Sequence, residues 1–105
     1  MQKFDTTTPE GRLLLSVDFS RLLPPGVTIA SAAVTIAVHT LSVADDSDAT
    51  DRLDGSAIVS DDQTTISQWF QFGLDDVDYV LTFVASFSDG EIVPLAVEMP
   101  VRLYS

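Results

Sequence analysis

Apolar side chains recur at every second position through most of this chain, and that period leaves the backbone few choices. In "GRLLLSVDFS", Leu13, Leu15, Val17 and Phe19 share one parity, opposite Arg12, Ser16, Asp18 and Ser20. The same period runs through Ala32, Val34, Ile36 and Val38, then through Tyr79, Leu81, Phe83, Ala85 and Phe87. It returns in Val93, Leu95, Val97, Met99, Val101 and Leu103. In "TTISQWFQFG", Ile66, Phe70 and Phe72 share a face, with Gln68 as a polar exception, and "SAIVS", Ser56 to Ser60, makes a shorter candidate. Successive side chains of a strand point to opposite faces, so each segment is expected to be a β-strand with one buried face. No segment keeps helical spacing for two full turns.

The apolar run "LLPPGVTIASAAVTIAVHT" fits the same pattern and not a membrane span. A spanning helix needs about 20 nearly unbroken apolar residues, whereas this run opens on Pro-Pro-Gly and is interrupted by Thr28, Ser31 and Thr35. Upstream of it, Val27 and Ile29 carry the apolar phase on odd numbers. The change of parity around Ala30 to Ala32 predicts a bulge there, or a strand that changes sheets. "LPPGV" reads as a type II turn with Pro25 second and Gly26 third. "SDGE" sets Asp-Gly between two alternating runs, a hairpin signal that makes the last two strands neighbours. Pro94 and Pro100 fall on the outward parity of the last run, which predicts an edge or bulged strand because proline cannot donate to a ladder.

Short strands with one apolar face each must bury those faces against one another, which points to an antiparallel sandwich of two sheets. The 105 residues suffice for one core and not for two, and 46% hydrophobic content argues for a folded chain. There is no cysteine, so no disulfide, thiolate nucleophile or Cys-ligated zinc is expected. The start "MQKFDTTTPEG" has no apolar signal segment, and cytoplasmic synthesis is expected. Sixteen acidic residues against five basic ones give a formal charge of -11. That charge opposes binding to nucleic acid or an anionic membrane, and it serves either solubility or attraction to a basic protein partner.

No catalytic constellation can be assembled. His39 is the only histidine and takes the outward parity near a strand end; a triad or metal site would need partners that the sequence does not place. The carboxylates cluster in loops and are not paired across a cleft. Phosphate-binding glycine loops and G-x-S-x-G elbows are absent. The long connection over residues 40–55, "TLSVADDSDATDRLDG", is the first place to look for a binding loop. Its aspartates fail the EF-hand template begun at Asp46, because Asp51 stands at the glycine position and Ala57 at the final glutamate. A solvated, self-repelling loop and a calcium loop of another kind both remain as readings, the first being the default.

Contact is a better description than catalysis. Trp69 lies on the parity opposite Ile66 and Phe70, which makes it an interface anchor on a wet face, unless that face is covered by the N-terminal arm or the sheet's curvature. Leu22 and Leu23 sit on a loop stiffened by Pro24 and Pro25; they either present a contact or plug the end of the sandwich. With Asp46, Asp48 and Asp51 of the acidic loop, these residues are the candidate partner-binding set. "LDDVDYVLTF" places Tyr79 at the start of a late strand. Immunoglobulin-like sandwiches put a corner tyrosine there, its hydroxyl bonded to upstream backbone; a plain core tyrosine is the alternative.

"VDFSRLLPPGVTIASAAVTIAV", followed by "GLDDVDYVLTFVASFSDGEIV", resembles a family of small tailed-phage virion proteins, the fiber-tail adaptor proteins. The shared pieces are an Asp-Phe-Ser strand, a Leu-Leu-Pro turn, an "IASA" strand entry and a late Tyr strand that ends in a Ser-Asp-Gly hairpin. They cover about two thirds of the chain, and nothing around Asp45 to Asp54 matches. The alternation leads us to expect an all-β antiparallel β-sandwich of about seven strands over residues 11–105, preceded by a flexible arm over 1–10, and the resemblance implies that it is immunoglobulin-like. It implies a virion tail protein, made in the host cytoplasm, in many copies in a ring-like assembly that links side fibers or tailspikes to the tail or connector. No enzyme activity, cofactor or metal goes with it. A carbohydrate-binding or adhesion module of the same fold is the alternative, with Trp69 stacking on a sugar and loop acids holding calcium.

Overall fold

A computed structural model describes residues 2–3, 11–42 and 44–101 of the chain. Its strands are β1 (Gln2–Lys3), β2 (Arg12–Asp18), β3 (Ile29–Val38), β4 (Leu53–Val59), β5 (Thr65–Gln71), β6 (Asp78–Phe87) and β7 (Ile92–Pro100). They build two sheets, ordered β1-β7-β6-β3 and β2-β5-β4. Every ladder is antiparallel except the two-residue contact of β1 with β7. Short 3-10 turns at Ser20–Leu22 and Ala49–Arg52 are the only helical pieces among the described residues. The all-β, two-sheet architecture expected from the alternation is therefore the one adopted. The expected N-terminal arm lies outside the described residues, apart from Gln2 and Lys3, which run along β7.

The core sits between the inner faces of the two sheets. Tyr79, Leu81, Phe83, Ala85 and Phe87 of β6 are buried against Leu15 and Val17 of β2 and Ile66 and Phe70 of β5, with Val97 and Met99 of β7 beside them. Strand parity thus assigns the core well in the central strands. Toward the edges it thins: Val34, Ile36 and Val38 of β3 are half-buried, and Leu13 at the start of β2 is exposed. Leu103, the last residue of the alternating set, lies outside the described residues.

The turns follow the local chemistry. Val27 N–H donates to Pro24 O over 3.0 Å with Gly26 at φ 79°, the left-handed third position of a type II turn. The change of parity appears as a register shift between Ile29 and Ser31, a bulge that lets Ile29 reach the core from one phase and Val34 from the other. β6 and β7 pair through a loop closed by Gly90 N–H to Phe87 O and Phe87 N–H to Glu91 O. Pro94 lies opposite Val84, beyond the reach of β1, which covers β7 only at Val97 and Glu98. Among the described residues the missing N–H of Pro94 therefore faces an open edge.

Two departures from the alternation have physical causes. Gln68 is buried on the core parity, and its side-chain amide donates to the carbonyls of Asp54 and Gly55 at 3.3 and 3.1 Å. Those carbonyls lie where β4 slips register against β5, so the polar side chain serves backbone groups that the ladder misses there. Phe72, expected in the core, is instead 52% exposed at φ 51°. β5 ends at Gln71, and the chain then presses across the base of the core at Gly73. A Cβ on Gly73 would stand 2.7 Å from Val101 Cγ2 and 3.0 Å from Phe70 Cζ. The turn that allows this close passage swings Phe72 outward. Gly73→Ala is therefore expected to destabilise the fold by about 1–3 kcal/mol, read as a lower denaturant midpoint at unchanged slope. An unchanged midpoint would contradict this packing.

Candidate functional site

The strands run from one end of the body to the other, and the loops collect at those two ends. At one, Phe19 N–H donates to Thr64 O and Ser88 N–H to Thr28 O, tying together the loops that follow β2, β4 and β6. At the other, Ala44 N–H donates to Asp76 O over 3.2 Å, and Asp78 N–H to Ser42 Oγ over 2.9 Å. This joins the β3–β4 connection to the β5–β6 loop. The body measures 43 × 24 × 22 Å.

The acidic connection is built around a buried carboxylate, which corrects the expectation of a solvated, self-repelling loop. Asp46 is only 6% exposed. Its Oδ2 accepts the Tyr79 hydroxyl at 2.6 Å and Arg52 Nε–H at 3.0 Å, and its Oδ1 accepts Asp48 N–H at 3.0 Å. The Tyr79 hydroxyl in turn accepts Leu74 N–H at 2.9 Å, while its ring meets Phe70 edge-on with centroids 5.4 Å apart. Tyr79 thus bonds to upstream backbone as a corner tyrosine does, and it also holds a second loop that the sequence did not connect to it. Burial pushes the Asp46 carboxyl up, but the bonds from Arg52, Tyr79 and Asp48 outweigh it and hold the group below the ordinary aspartate range. Burial, and then the bond to Asp46, push the Tyr79 hydroxyl up to about 12.

The remaining candidates separate. Asp48 and Asp51 stay exposed at the Asp46 end, although Asp48 backbone supports Asp46. Among the described residues no group of three or more His, Cys, Asp or Glu is placed to hold a metal ion. Leu22, Pro24 and Pro25 are exposed at the opposite end, whereas Leu23 packs against the core and does the plugging. Trp69 lies on the outer face of β5, half-buried, with the Arg12 guanidinium 3.9 Å above its ring and Leu14 opposite it on β2. Arg12 is itself held by Asp54 Oδ2 at 2.6 Å. What covers the indole is thus a neighbour in the same sheet. His39 Nδ1 accepts Leu41 N–H at 3.0 Å at the end of β3.

Sequence reasoning missed the exposed apolar residues at the Asp46 end. Leu41 is 82% exposed, and Phe72 and Leu74 stand out on the facing loop. Phe72 could not be found by parity, since its orientation depends on how the backbone passes Gly73. Neither a family model nor a curated protein sequence matches the chain.

Tyr79→Phe is expected to cost about 1–3 kcal/mol, because Leu74 N–H and Asp46 each lose a buried partner. Since the Asp46 carboxyl titrates lower folded than unfolded, its stabilisation is present above pH 3.8 and is lost as pH falls through the folded value. Asp46→Asn should be less stable at neutral pH and show a shallower loss of stability below pH 3.8. Asp18 and Asp62, held low chiefly by Ser20 backbone and the Ser60 hydroxyl, contribute to the acid slope of both forms. Denaturation midpoints measured from pH 2 to 7 check this, and parallel acid limbs would refute it.

Proposed function

We propose that the chain is a non-enzymatic adaptor of a phage tail, an immunoglobulin-like β-sandwich of about seven strands that links side fibers or tailspikes to the tail or connector. The order β7-β6-β3 facing β2-β5-β4 and the bonded Tyr79 hydroxyl support the immunoglobulin-like class. The pieces that carry the family resemblance form the end of β2, the Pro24 turn, the bulge into β3, the Tyr79 corner and the β6–β7 hairpin.

The observation that carries the adaptor reading is the placement of exposed apolar side chains among carboxylates at opposite ends of a 43 Å body. Leu22 stands at the same end as Asp61 and Asp62, whose loop is tied to Phe19 through Thr64; Leu41 and Phe72 stand at the other with Asp48 and Asp51. A linker needs two such surfaces facing away from each other, and acidic rims suit basic partners. In a ring of many copies weak contacts add up, because each further contact is intramolecular. The adhesion alternative draws little from Trp69, whose ring already carries the Arg12 guanidinium on one face.

Co-expression with the virion proteins encoded beside it, followed by size-exclusion chromatography, tests the reading. Two partners are expected to co-elute. Leu22→Ser should weaken one of them and Leu41→Ser with Phe72→Asn the other, each by about tenfold or more. Failure of every virion neighbour to bind, or chelator-sensitive binding to a glycan array, would overturn it.

A further inference from the structure

The strand edges of the two sheets are not guarded alike. β2 carries Arg12 and Asp18, and β4 carries Asp54 and slips register between Asp54 and Ile58. β7 carries Pro94 and Pro100 and is partly covered by β1. Charges, prolines and bulges of this kind keep sheet edges from pairing with other chains. β3 has none of them beyond its opening bulge. From Ser31 to Val38 it contains no charged residue, no proline and no glycine, and it keeps unbroken register with β6. On its other side, among the described residues, no strand is paired with it.

The outer face beside the first half of that edge is equally free of charge, and Glu98 enters only on the Ala37 row. On the outer face, Ala33 lies beside Val84 and Pro94, and Thr35 beside Thr82 and Ala96, so that neither row carries a charge. On the inner side, Val34 and Ile36 are only half-buried, whereas their β6 partners Phe83 and Leu81 are fully buried. A chain of formal charge -11 repels its own copies, and both of its ends carry carboxylates. Along the Ala33 and Thr35 rows a second copy would meet no charge, and it would bring a strand with the same apolar side and the same neutral rows.

We propose that β3 pairs with β3 of a second copy, antiparallel about a two-fold axis normal to the sheet, to form one continuous sheet across two molecules. Antiparallel pairing is self-complementary under that axis, so each copy supplies the donors and acceptors that the other needs. The inner apolar rows then run on from one molecule into the next and Val34 and Ile36 gain cover. A single strand pair buries less than the roughly 800 Å² per partner of a standard interface, so the dimer is weak and reversible. This self-association does not depend on the adaptor reading, and the variants that test the two are different.

Sedimentation of the full chain over a concentration series is expected to show a monomer–dimer equilibrium that strengthens as added salt screens the like charges. Ala33→Glu with Thr35→Glu should weaken it by about tenfold or more, because carboxylates then face each other near the axis. Ser20→Glu with Ser47→Glu adds the same charge at the two ends, outside the candidate contact residues, and should leave it within about twofold. Since the chain has no cysteine, single cysteines at Ala33, Thr35 and Ala37 give a second readout under mild oxidation. The position nearest the axis should cross-link two chains, and Leu14→Cys on β2 should not. A chain that stays monomeric throughout, polymers longer than the dimer, or a dimer unaffected by the β3 glutamates and not captured by the β3 cysteines would overturn the proposal.

Discussion

A phenol buried between two sheets keeps its hydroxyl only if that hydroxyl finds partners, and in this chain the partners are what order one end of the molecule. Tyr79 places its ring in the core against Phe70 and sends its hydroxyl to Leu74 N–H and to the Asp46 carboxylate. Asp46 then recruits Arg52 and the backbone of Asp48. Through one side chain of β6, the β5–β6 loop and the acidic connection become a single bonded unit. The buried carboxylate is tolerable because an ion pair and two further donors replace its water.

That unit explains how so acidic a loop can hold one shape. With Asp46 drawn inward and neutralised by Arg52, the exposed Asp48 and Asp51 and the apolar Leu41 and Phe72 are held on a fixed frame. At the far end, the Pro24 turn and the backbone bonds among three loops do the same for Leu22. The sandwich between them sets the separation of the two surfaces. Its flank along β3 is where the proposed pairing of two copies would take place.

Much of this was legible in the sequence, because a period of two reports directly on which side of a sheet a residue occupies. Leu15, Ile66, Leu81 and Val97 could be placed in the core from parity alone, and Pro25-Gly26 and Ser88-Asp89-Gly90 named their own turns. What parity could not carry was anything decided by tertiary approach. Gln68 looked like an error in the pattern until the β4 slip supplied carbonyls for it, and Phe72 followed the pattern but was turned out by the passage at Gly73. Asp46 resembled its acidic neighbours, and no spacing distinguishes the carboxylate that meets Tyr79 from those that meet water. The candidate contact set was read less fully for the same reason: its exposed leucines and phenylalanine are defined by loop geometry.

Tyr79 is the tie between core and loops, and a single amide reports on it. Leu74 N–H sits in an exposed loop, yet it donates to a buried hydroxyl. Native-state hydrogen exchange should therefore find the Leu74 amide protected nearly as well as those of Leu81 and Phe83, opening only with the whole domain. Exchange of Leu74 at the rate of an unstructured loop, with the β6 amides still protected, would contradict the central role given to Tyr79.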